Sequence, residues 1–119
     1  MTREEMKTRL TNFAIRIIRM VDSMPNTISS QAIAKQVIRS GTSPSANYRA
    51  ACVGKSDKDF VNKLKMVEEE LDETSHWLYL ILESGILPKD RLNDLYNENV
   101  ELVKIVVASI KTMRTKIAE

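Results

Sequence analysis

SDKDFVNKLKMVEEELDETSHWLYLILESG, residues 56–85, carries the pattern that decides the fold. Within it Phe60, Leu64, Val67, Leu71, Thr74, Leu78 and Ile81 recur at alternating steps of four and three. That spacing holds one side of an α-helix against the seam of a helix bundle. Ser56-x-x-Asp59 in front resembles a capping box with Asp in the Glu position, and Ser84-Gly85 behind supplies a left-handed stop. A helix with one long apolar seam needs partners to cover it, and the flanking sequence supplies three.

Downstream, Ile86-Leu87-Pro88 reads as a turn, with Pro88 suited to the first position of a last helix. That helix carries Leu92, Leu95, Asn99, Leu102/Val103, Val106, Ile110, Met113 and Ile117, and ends on the basic Arg114 and Lys116. At the other end of the chain, Met6, Leu10, Phe13, Ile17, Met20/Val21 and Met24 predict a first helix from about Thr2 to Met24. Pro25-Asn26-Thr27 stops it, and Thr27 or Ser29 caps the next.

The second helix is predicted over Ser30–Val53, where Ala34, Val37, Ile38, Gly41, Ser45, Tyr48 and Cys52 share a face of mostly small residues that allows close helix approach. Pro44 lacks an N–H and clashes with the Ser40 carbonyl, so the helix either kinks or stops and restarts with Ser43 as N-cap; one long helix kinked near Pro44 is the preferred reading. Four helices of roughly 22–30 residues joined by short turns predict an all-α, up-down-up-down antiparallel four-helix bundle. Residues 1–119 form a single domain in this reading.

Composition agrees. Aromatic residues make up only 5% of the chain and there are 3 Gly and 3 Pro, which favours aliphatic helix packing over a turn-rich β-sandwich. The net charge of +2 conceals a division: residues 1–65 hold 12 Lys/Arg against 5 Asp/Glu, and residues 66–119 hold 6 against 11. The single Cys52 excludes an internal disulfide and fits a reducing, cytoplasmic setting. No apolar run is long enough to span a bilayer, so no membrane partner is expected.

Chemistry finds little purchase. Glu73-x-x-His76 has the spacing of di-metal carboxylate bundles, but such sites use the motif twice and His76 is the only histidine. Cys52 sits among Ala50, Ala51 and Val53 with no base beside it in sequence, and reads as a packed thiol. Gly41-Thr42-Ser43-Pro44-Ser45-Ala46-Asn47 lacks the Gly-Lys-Ser/Thr of a phosphate loop. No catalytic, cofactor-binding or metal-ligating residue is assigned, and no cofactor is expected. Most of the acidic run Glu68–Glu73 reads as solvated surface, but Glu70 and Glu73 share a face with Trp77 and suit partly buried pairing with an Arg or Asn. Arg9, Arg16 and Arg19 on the first helix, with Lys35, Arg39 and Arg49 on the second, are the candidate nucleic-acid contacts.

From Arg39 to Leu78 the sequence resembles the four-helix-bundle family of 23S rRNA-intervening sequence proteins. The resemblance rests on Arg39-Ser40-x-Thr42-Ser43, Ala46-Asn47-Tyr48-Arg49, Lys55-Ser56, Asp59-Phe60, Glu70, Glu73-Thr74 and Trp77-Leu78. Pro44 and His76 depart from it, standing where an aliphatic residue and an aromatic one are usual. The resemblance implies a homopentamer and, by analogy with the similar accessory bundle of diversity-generating retroelements, RNA, DNA or a nucleic-acid enzyme as partner. The shared polar positions Ser43, Asn47, Glu70 and Glu73, with Trp77, suit a polar network fixing helix register better than a catalytic set. The expected function is therefore a non-enzymatic bundle that self-assembles as a binding or scaffold module, its alternative an RNA- or DNA-binding accessory protein using the basic surface of the first two helices.

Overall fold

The structure, a computed structural model, describes residues 1–119 as four helices: α1 (Arg3–Asp22), α2 (Ile28–Cys52), α3 (Asp57–Glu83) and α4 (Lys89–Ala118). The starts follow from side-chain caps. Thr2 and Glu5 form a reciprocal capping box on α1, and Thr27 Oγ1 accepts from the Ser30 amide on α2. Ser56 Oγ accepts from the Asp59 amide at 3.1 Å, which is the one capping-box bond this pair makes on α3. Pro88 is the N-cap of α4 and lies one residue outside the helix, instead of occupying its first position. Behind α3 the chain turns on Gly85 at φ 74°, with the Gly85 amide on the Leu82 carbonyl and the Ile86 amide on the Ile81 carbonyl. Those two bonds are the Schellman pair, and the left-handed residue between them has to be free of a Cβ clash.

Cross-helix pairs establish the topology. Arg49 reaches Thr11 and Gly41 lies against Ile17; Ser40 meets Thr74 and Tyr48 meets Phe60; Asp57 pairs with Lys116; Arg9 pairs with Glu98. Rising numbers meet falling ones in α1–α2 and α2–α3, and Ser75–Asn99 beside Asp57–Lys116 shows the same for α3–α4, so consecutive helices are antiparallel. α1 packs along α2 and α4, and α3 along α2 and α4, while the backbones of the diagonal pairs α1–α3 and α2–α4 stand farther apart. The body measures 51 × 20 × 20 Å, so helices of this length lie along its long axis. Contact between α1 and α4 is sparse, leaving that seam partly open.

All seven seam positions of α3 are buried, Thr74 included. They meet Leu10, Phe13 and Ile17 of α1, Val37 of α2, and Leu92, Leu102 and Val106 of α4 in one core drawn from all four helices. α2 contributes small residues, Ala34, Ser40, Gly41 and Ala51, and so comes close to its neighbours. It runs unbroken through the buried Pro44, which rules out the reading of two short helices. Pro44 leaves the Ser40 carbonyl without its amide donor. Around it Thr42 Oγ1 donates to the Ile38 carbonyl, Ser43 Oγ to that of Arg39 and Ser45 Oγ to that of Thr42, back-bonds of the kind that bend a helix.

Candidate functional site

Two polar constellations stand out, and both depend on which side chains the antiparallel packing brings together. The first lies across α2 and α3. Glu70, Glu73 and Trp77 occupy one stripe of α3 at steps of three and four. Arg39 of α2 reaches over it, Nη1 on Glu70 Oε2 at 2.9 Å and Nη2 on Glu73 Oε2. Glu73 also accepts from Trp77 Nε1 at 3.0 Å, and the His76 ring packs edge-on to the indole with centroids 5.0 Å apart. The carboxylate of the Glu73-x-x-His76 pair is thus committed to a guanidinium and an indole. No group of three metal-ligating side chains forms anywhere in the structure.

Beneath this cluster Ser40 Oγ and Thr74 Oγ1 stand 2.9 Å apart, both fully buried. Thr74 donates to the Glu70 carbonyl at 2.8 Å, which leaves Ser40 to donate to Thr74, since a hydroxyl carries one proton. On the α4 side the buried Asn99 Nδ2 donates to the Leu71 carbonyl at 3.0 Å and to Ser75 Oγ. Those hydroxyl and amide bonds fix the register of α3 against its neighbours. Ser43 and Asn47 do not join them. Ser43 bonds its own helix, and half-buried Asn47 makes no side-chain hydrogen bond.

The second constellation is basic. Among the six candidate nucleic-acid contacts, three are committed within the chain. Arg9 Nε and Nη2 each donate to a Glu98 oxygen at 2.8 Å, and this bond raises the Arg9 pKa above its ordinary value. Arg39 is held by Glu70 and Glu73, and Arg49 Nη2 donates to Thr11 Oγ1 at 3.2 Å. Arg16, Arg19 and Lys35 are exposed and form no ion pair. Lys35 stands on the outer stripe of α2, a helix without a single acidic residue. Arg16 and Arg19 line a depression of about 220 Å³ between the end of α1 and the start of α4, where Arg91 joins them. Arg91 escapes a reading of the first two helices because the antiparallel return of α4 alone brings it there.

Cys52 is half-buried beside Tyr48. Burial, reinforced by Cys52, pushes the Tyr48 phenol up to about 12. Tyr48 packs edge-on against Phe60, whose ring carries the Arg3 guanidinium at 4.1 Å from its centroid. This group closes one end of a groove of about 430 Å³ between α1 and α4, lined also by Met6, Ile105 and Met113.

Residues 4–108 match the family model of the 23S rRNA-intervening sequence protein. The fold is similar to a crystal structure of a protein of unknown function from the S23 ribosomal protein family of Bacteroides thetaiotaomicron VPI-5482. The TM-score is 0.86 at 32% sequence identity, over 93% of this chain and 99% of that one. No curated protein matches.

Proposed function

The chain belongs to the 23S rRNA-intervening sequence protein family, and from that premise we propose that it is a non-enzymatic scaffold that self-assembles head to tail, as a homopentamer, in the cytoplasm. The supporting observation is the distribution of charge over the bundle. α1 and α2 together carry eight Lys/Arg against three Asp/Glu, while α3, diagonal to α1, carries eight Asp/Glu against three Lys. A ring in which the basic wall of one copy faces the acidic helix of the next brings opposite potentials together at every contact and uses one interface throughout. No helix is long and apolar enough to cross a membrane.

Reversing charge on the outer face of α3 tests this. Glu69→Lys with Asp72→Lys, both at exposed positions, lowers the assembled mass. Adding Lys35→Glu and Arg49→Glu to that same chain restores it, because every contact then pairs opposite charges again with the signs exchanged. Unchanged mass in the α3 variant overturns the charge-paired interface.

A second reading is an RNA- or DNA-binding accessory protein. It draws on the acid-free α2, whose outer stripe presents Lys35 with no counter-charge of its own helix. In this reading affinity for a single strand falls steeply as log salt rises, by about 0.7 log units per phosphate neutralised. Absence of binding at low salt removes it.

A further inference from the structure

We propose that the depression between the end of α1 and the start of α4 is a phosphate-oxyanion site, built from Arg16, Arg19 and Arg91 and occupied by phosphodiester groups of a nucleic-acid strand. The occupant rests on the second reading above; the oxyanion chemistry stands without it.

Three observations carry the site. First, the three arginines line one depression and no acidic residue lines it with them. Asp22, Asp90 and Asp94 on the same helices form no ion pair with any of the three. Arg9, Arg39 and Arg49, by contrast, are each held by a partner inside the chain. Three permanently charged groups converging without a counter-ion repel one another, and an oxyanion relieves that repulsion through bidentate donors that suit phosphate.

Second, Arg91 stands in the first turn of α4, beside Lys89. Cations are disfavoured at the positive end of a helix, so helix stability does not explain their placement. Pro88, the N-cap, offers no side-chain hydrogen bond to the first-turn amides, and the helix end adds its own positive field next to Arg91. Third, the remaining wall is buried Met20, Leu87 and Leu95 with Ser23, whose hydroxyl is turned onto the Met20 carbonyl. An apolar backing keeps water from screening the guanidiniums on one side and focuses their field outward.

The test follows the arginine Nε–Hε resonances of the full chain by NMR during titration with tripolyphosphate at low salt. In parallel, fluorescence anisotropy records binding of a labelled oligouridylate. Resonances of Arg16, Arg19 and Arg91 are expected to shift, while that of Arg114 at the far end of α4 stays in place. The variant R16A/R19A/R91A, changed only at exposed positions, is expected to lose the tripolyphosphate response. Its slope of log affinity against log salt for the oligouridylate should become shallower by about 2, the loss of three phosphate contacts. The R114A variant keeps both properties.

No shift at the three arginines overturns the site. A tripolyphosphate response without oligouridylate binding leaves an oxyanion site for free phosphates and overturns the strand as its occupant. Oligouridylate binding with an unaltered slope in the triple variant overturns the site while leaving the nucleic-acid reading intact. A change of assembled mass with an unaltered tripolyphosphate response makes the depression a subunit contact and overturns the proposal.

Discussion

Substituting Gly41 by Ala sets two known effects against each other at one place. In the middle of a helix the change is ordinarily worth about 1 kcal/mol in favour of Ala. At Gly41 the added Cβ falls 2.8 Å from Ile17 Cγ1, 2.9 Å from Cγ2 and 3.1 Å from Cδ1, against an optimum of about 3.5–4.0 Å between carbons. Ile17 is fully buried and β-branched, so its side chain has no second well-populated rotamer to move into. Overpacking of this kind costs about 1–3 kcal/mol. Gly41→Ala should therefore destabilise by about 1 kcal/mol net, with α1 pushed from α2.

Removing the obstacle reverses the sign. Ile17→Ala alone costs about 2–5 kcal/mol, but in its background Gly41→Ala should stabilise by up to about 1 kcal/mol, a coupling of roughly 2 kcal/mol. Ile17→Val takes away only Cδ1 and leaves both Cγ atoms in place, so Gly41→Ala stays destabilising there. The assay is urea unfolding followed by circular dichroism, with all variants at one protomer concentration so that self-association cancels. Equal effects of Gly41→Ala in the wild-type and Ile17→Ala backgrounds refute the close approach of α1 and α2 at this point.

Gly85→Ala places a side chain at φ 74° and should lower stability by about 1 kcal/mol in the same assay, although open space surrounds the site. Tyr48 gives a pH signature. Its folded pKa is raised from 10.0 to about 12, so its contribution is complete below pH 10 and is lost as pH rises through that window. Stability should fall over that range through this group, and Tyr48→Phe should flatten the fall. Glu73→Ala removes a partner of both Arg39 and Trp77; it should cost about 1 kcal/mol and red-shift the emission of the only tryptophan as its Nε1 turns to water.

What could be read from the sequence was whatever a single helix decides for itself. The α3 seam was legible to the last position, Thr74 included, because a repeat of three and four leaves one face to the core whatever packs against it. The pairing of Glu70 and Glu73 with a cation was legible as a need, since two acids and an indole shared a face. Its satisfaction by Arg39, 31 and 34 residues away, belongs to the tertiary fold. Pro44 shows local rules being outweighed: the ring weakens its own turn, and burial between neighbouring helices carries α2 through it. The arginine depression was only partly legible. Arg16 and Arg19 lay on an evident helix, but no local pattern sends Arg91, 72 residues beyond Arg19, to the same spot.

The most direct test of self-assembly is the mass of the wild-type protein by size-exclusion chromatography with multi-angle light scattering, at low and at moderate salt. A head-to-tail pentamer predicts five times the 13.6 kDa chain mass, with dissociation as salt screens the paired faces. The monomer mass under both conditions contradicts the scaffold reading.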